Sequence, residues 1–226
     1  MTAADLDTRK LHAAIVDLDG TMVDTSGDFV VALSGMLAEF GLPGVDREFV
    51  VLKVGKGSEY LVRSTLVHSG AEAALYETAM ARYQHHYGTV NGRYSTVYPG
   101  VVEGLDRLAA QGLKLACLTN KPTAFALALL QAKGLAGYFG QVFGGDAFER
   151  RKPDPMPIVM TCKALACEPA STLMIGDSSN DAQAARAAGC PVVLVSYGFN
   201  HGLPVHAVDA DAVIDRLDQL AWAPIR

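Results

Sequence analysis

The chain has 226 residues, half of them hydrophobic and 19% charged, with a formal net charge of −5. That length fits one large or two small domains, and the composition supports a packed core rather than disorder. The acidic balance offers no basic stripe for a nucleic-acid backbone and no polybasic anchor for an anionic membrane, so small molecules are the expected partners.

The opening MTAADLDTRK places Asp5 and Asp7 before its first basic residue, unlike the basic-then-apolar order of a secretory signal. No apolar run approaches the ~18 residues of a membrane span. Cys117, Cys162, Cys167 and Cys190 form no CxxC pair and read as reduced core thiols. A cytoplasmic protein is the expectation.

In chain order, residues 11–16 form a short apolar run that breaks at Asp17-Leu18-Asp19-Gly20, the pattern of a buried strand entering a loop. Phe29, Leu33, Met36, Leu37 and Phe40 then recur at helical spacing, followed by helical stretches near 58–68 and 72–87, with no convincing strand between Thr25 and Thr96. Helices are expected over 101–110, 122–133, 155–166 and 180–188. Strands are expected over 113–118, 172–175 and 192–195. The alternation predicts an α/β fold: a Rossmann-like parallel sheet with helices on both faces. The core is expected over 1–24 and 97–226, with an α-helical cap inserted over 25–96.

Open α/β sheets bind ligands at the carboxyl ends of their strands, and here those ends carry Asp17, Asp19, Thr119, Asn120 and Asp177. Three carboxylates in one cleft repel one another unless a hard divalent cation neutralises them, and oxygen-only ligation favours Mg²⁺. Taken alone, DLDG could merely decorate a turn. The remaining residues supply what phosphoryl transfer requires: the Thr119 hydroxyl and adjacent backbone N–H groups for phosphoryl oxygens, and Lys152, between Arg151 and Pro153, for developing charge. Asp181 can orient Lys152 or the metal's waters, or act as a first-turn helix acid.

Gly55-Lys56-Gly57-Ser58 lacks the earlier glycine and the preceding strand of a nucleotide-binding P-loop. It reads instead as a cap segment in which Gly57 permits close approach and Lys56 offers a cation to a substrate carboxylate. The competing reading of Lys56 is a solvated loop cation. His85 and His86 are adjacent and cannot chelate as an i, i+4 pair would, whereas His201 lies in a Gly-flanked loop able to touch the cleft.

Asp17-Leu-Asp-Gly-Thr-Met-Val-Asp24, Leu118-Thr-Asn-Lys-Pro122, Lys152-Pro-Asp-Pro155 and Ile175-Gly-Asp-Ser-Ser-Asn-Asp181 together resemble the four ordered motifs of the haloacid dehalogenase superfamily. The resemblance implies that Asp17 is a nucleophile forming an aspartyl phosphate and Asp19 the acid/base group. It implies Mg²⁺ held by Asp17, the backbone carbonyl of Asp19, and Asp177. An acid at position 19 points to phosphatases and phosphomutases rather than dehalogenases. Val54–Arg63, the TNKP run and Ser196–Gly202 are similar to bacterial phosphoglycolate phosphatases. Phosphatases of other small phosphosugars and hexose-phosphate mutases carry similar caps and cores.

Overall fold

A computed structural model describes residues 8–220; the outermost parts of the expected core, 1–7 and 221–226, lie outside the described residues. Its strands are β1 (Ala13–Val16), β2 (Val23–Asp24), β3 (Thr96–Val97), β4 (Lys114–Leu118), β5 (Gln141–Phe143), β6 (Thr172–Gly176), β7 (Val192–Val195) and β8 (Ala212–Ile214). Six of them form one sheet in the order β5-β4-β1-β6-β7-β8, every neighbouring pair parallel. β2 and β3 pair antiparallel, Val23 opposite Val97 and Asp24 opposite Thr96. The chain leaves for the helical insertion and returns from it through this two-stranded ribbon.

The insertion contains α1 (Ser26–Glu39), α2 (Arg47–Lys53), α3 (Ser58–His68) and α4 (Tyr76–Val90). Its helices bury their apolar faces against one another, with Phe29, Leu33, Met36, Val50, Leu61, Tyr83 and Tyr87 in one cluster separate from those of the sheet. Asp46 caps the short α2, accepting from the Phe49 N–H at 2.8 Å. The buried Asp28 carboxylate accepts from the N–H groups of Gly92 at 2.8 Å and Tyr94 at 2.6 Å, tying α1 to the segment that returns to the sheet. The helix expected over 72–87 begins only at Tyr76, after a 3₁₀ turn, and continues to Val90.

Downstream lie α5 (Val101–Ala110), α6 (Thr123–Ala132), α7 (Met156–Leu165) and α8 (Ser179–Ala188). Strand alternation sorts them into two layers. Ala14, Val16, Leu115, Cys117, Leu173 and Ile175 point to the face covered by α5 and α6. Ala13, Ile15, Ala116, Leu118, Met174 and Leu194 point to the face covered by α7 and α8. A sheet covered on both faces explains why its inner strands read as continuous apolar runs. All four cysteines are free thiols, three of them buried. No helix among the described residues is long and apolar enough to cross a membrane.

Candidate active site

β1 is central in the sheet, so its carboxyl end opens between those of β4 and β6. Asp17 follows directly, its N–H bonded to the Ile175 carbonyl at 2.9 Å. Asp177 follows β6 and Asp181 lies in the first turn of α8. One carboxylate oxygen from each of Asp17, Asp177 and Asp181 falls within 4.8 Å of the others, and all three residues are buried. Gly20 allows this crowding: at φ +83°, a Cβ there would stand 2.2 Å from Asp177 Oδ2.

Lys152 is buried among the acids. Its ammonium donates to Asp181 Oδ1 at 2.7 Å and to the Leu118 carbonyl at 2.9 Å, and forms an ion pair with Asp17 Oδ1 at 3.0 Å. Burial opposes its charge, but Asp17 and Asp181 outweigh that and hold its pKa above the ordinary value. Asp181 Oδ2 accepts from Ser178 Oγ at 2.8 Å and from the Ser178 N–H at 3.1 Å, so this carboxylate both caps α8 and steadies Lys152.

Burial pushes the Asp17 carboxyl up to about 7, with Lys152 opposing and Asp181 adding to the rise. Asp177 is likewise raised, by burial, then Asp181 and Asp17, despite a hydrogen bond from the Phe199 N–H. Three buried carboxylates cluster where one ammonium pairs with two of them, Asp17 and Asp181, an excess of negative charge with oxygen-only donors that fits a hard divalent cation such as Mg²⁺. Both oxygens of Asp181 accept from Lys152 and Ser178, and both of Asp177 accept, from Thr21 Oγ1 at 3.2 Å and from the Phe199 N–H, so hydrogen bonding alone does not choose between these two acids as companions to Asp17.

Asp19 is turned away from this cluster. Its Oδ1 accepts from Lys121 Nζ at 2.8 Å, and the same ammonium donates to Tyr87 Oη at 2.6 Å. Lys121 lies 4.7 Å from the ring centroids of both Phe29 and Tyr87. The sequence reading missed Lys121, Tyr87 and Phe29. The position of Lys121 beside Thr119 and Asn120 was the available signal, whereas Phe29 read as a core position of its helix and Tyr87 lies far from every motif in sequence.

Thr119, Asn120 and Gly57 line a cavity with Asp17, Asp19 and Lys121. Asn120 Nδ2 donates to the carbonyls of Lys152 at 2.8 Å and Gly55 at 2.9 Å. Asn180 Nδ2 donates to the Gly55 carbonyl at 3.2 Å, so two amides of the sheet unit hold this loop of the insertion. Lys56 is exposed, outside the residues lining the cavity, with its Nζ 5.1 Å from the Tyr60 ring centroid. His201 Nε2 lies 3.3 Å from Asn180 Nδ2, at the loop contact rather than beside Asp17; burial, then Lys56, holds its pKa below the ordinary value.

A parallel α/β sheet whose central strand delivers a buried carboxylate to a lysine and two further acids is the arrangement of the haloacid dehalogenase-like hydrolases. Their family pattern matches residues 14–195, and the chain belongs to this family. A phosphoglycolate phosphatase of Thiobacillus denitrificans is 43% identical over 214 residues, covering 93% of this chain and 94% of that protein. Another, from Nitrosospira multiformis, is 42% identical over 210 residues, covering 92% of each. A predicted phosphoglycolate phosphatase from Haemophilus somnus has a crystal structure that superposes with a TM-score of 0.89 at 30% identity, covering 92% of this chain and 96% of that one. Family and relatives together make the chain a phosphatase.

Proposed function

We propose that the enzyme hydrolyses a small phosphate monoester, 2-phosphoglycolate foremost, in a Mg²⁺-dependent reaction through an aspartyl phosphate on Asp17. The observation that carries this reading is the placement of Asp17. It is buried at the end of the central strand, 3.0 Å from Lys152, with Asp19 two residues on and outside the acid cluster. The names of the 42–43% identical relatives favour phosphoglycolate.

In the proposed reaction the Asp17 carboxylate attacks phosphorus and the ester P–O bond breaks as Asp19 gives a proton to the leaving oxygen. Asp19 then takes a proton from water, whose oxygen attacks the aspartyl phosphate and frees Asp17. Thr119 and neighbouring backbone N–H groups hold phosphoryl oxygens, while Lys152 steadies Asp17 and balances charge. Mg²⁺, held by Asp17, the Asp19 carbonyl and Asp177, would shield the anionic ester from the anionic nucleophile.

The test is release of free phosphate from 2-phosphoglycolate and a panel of phosphorylated C2–C6 metabolites, with Mg²⁺ and with excess EDTA. We expect metal-dependent release, fastest from phosphoglycolate. Full turnover in EDTA would refute the metal role. Isomerisation of a hexose phosphate without phosphate release would make the enzyme a mutase.

A further inference from the structure

Lys121 is the single basic side chain among the described residues that line the cavity. Its side chain is 2% exposed and paired with Asp19, itself 9% exposed. The Phe29 and Tyr87 rings from the insertion stand beside it, and the Tyr87 hydroxyl accepts one of its protons. A buried ammonium of this kind requires an anionic partner, because an unpaired charge away from water is strongly disfavoured.

From this geometry we propose that Lys121 recognises a carboxylate on the substrate, accepting it in exchange for Asp19. The inference rests on reading the site as a phosphatase of short, acid-bearing esters. Asp19 holds Lys121 through Oδ1, and in the proposed exchange its carboxyl rotates off the ammonium towards the oxygen that leaves phosphorus. As Asp19 turns to that oxygen, Lys121 loses its anion while still enclosed by aromatic rings. A substrate carboxylate restores the pairing; a neutral hydroxyl does not. Selectivity then arises from the penalty on neutral esters, the general means by which a site with a buried polar group rejects a ligand that leaves it unpaired. Lys56, exposed beside Tyr60 and outside the cavity lining, has no comparable enclosure. The proposal thus moves the carboxylate-reading role from Lys56 to Lys121.

The experiment compares 2-phosphoglycolate with 2-hydroxyethyl phosphate, an ester of similar length that ends in a neutral hydroxyl. In the wild type, kcat/KM should favour phosphoglycolate. Lys121→Met should reduce kcat/KM on phosphoglycolate about ten- to hundredfold more than on hydroxyethyl phosphate, and Lys121→Arg should recover part of the preference. Equal losses on both esters would overturn the proposal and leave Lys121 as a holder of Asp19. Calorimetric binding of both esters to the Asp17→Asn protein, with Lys121 intact, gives a second measurement that needs neither turnover nor a stable Lys121 variant. Tighter binding of phosphoglycolate by about tenfold or more supports the proposal, and equal affinity overturns it. If Asp17→Asn discriminates in this way while the wild type fails to hydrolyse phosphoglycolate, the proposed reaction fails and carboxylate recognition stands.

Discussion

Lys152 and Asp181 meet at 2.7 Å with side chains only 2% and 1% exposed, a charge pair buried beside Asp17. Without Asp181 the ammonium keeps Asp17 at 3.0 Å but loses its shorter partner, and Ser178 loses the acceptor of its cap. Asp181→Ala should therefore lower unfolding stability by about 1.5–3 kcal/mol. Asp181→Asn keeps an oxygen for Ser178 and should lose less. Urea denaturation in EDTA measures both, and a loss under about 1 kcal/mol for the alanine variant would contradict this account of the pair.

The raised Asp17 carboxyl gives the metal-free protein an unusual pH dependence. Burial lifts it from 3.8 to about 7, so between those values the folded state keeps a proton that the unfolded chain has released. Stability from this group is greatest below the unfolded value and falls as pH rises towards 7, by an amount on the order of a few kcal/mol. The shift at Asp177 has the same sign. In EDTA, the stability difference between wild type and Asp17→Asn should therefore shift against the wild type from pH 4.5 to 7.5. A flat difference, or one rising with pH, would count against the burial argument. Added Mg²⁺ should oppose the loss at the upper end. The same variant should remain folded and release no phosphate.

Gly20 is required by both backbone and space. Alanine there would hold a Cβ at φ +83°, 2.2 Å from Asp177 Oδ2. Gly20→Ala should cost about 1–3 kcal/mol of stability and weaken Mg²⁺ binding by on the order of tenfold, the scale of losing a ligand's support. Calorimetric titration with Mg²⁺ decides; unchanged affinity would show that the Gly20 turn does not set the position of Asp177.

Asn120 and Asn180 both donate to the Gly55 carbonyl, joining the sheet unit to the loop between α2 and α3. Among the described residues the Asn180 side chain bonds to Gly55 and His201 and not to the acid cluster, so Asn180→Ala should spare Mg²⁺ affinity while speeding amide hydrogen exchange over residues 54–58 about three- to tenfold, as expected for loss of one hydrogen bond. Exchange at the wild-type rate would mean that the contact does not hold the loop.

Much of the core was legible because parallel strands covered on both faces are short apolar runs, and the acids stand where those runs stop. Asp17, Thr119 and Asp177 follow β1, β4 and β6 directly. β5 and β8, three residues each, are too short for periodicity to reveal. The ribbon of β2 and β3 exists only because two segments far apart in the chain pair, Val23 opposite Val97 and Asp24 opposite Thr96. α2, seven residues long with Val50 and Val51 in its interior, escaped the same reading and depends on the Asp46 cap and on packing. The positions of Asp17, Asp19 and Asp177 are thus written into local motifs that follow strands, since each motif must itself form the turn that presents its side chain, and Lys152 lies in the loop between β5 and α7. Which ammonium meets which carboxylate is not written into those motifs. Lys121 rather than Lys56 enters the cavity, with Phe29 of α1 and Tyr87 of α4 packed against it and Asp19 paired to it, a relation among the start of the chain, the insertion and the end of β4 that only the packed tertiary structure decides.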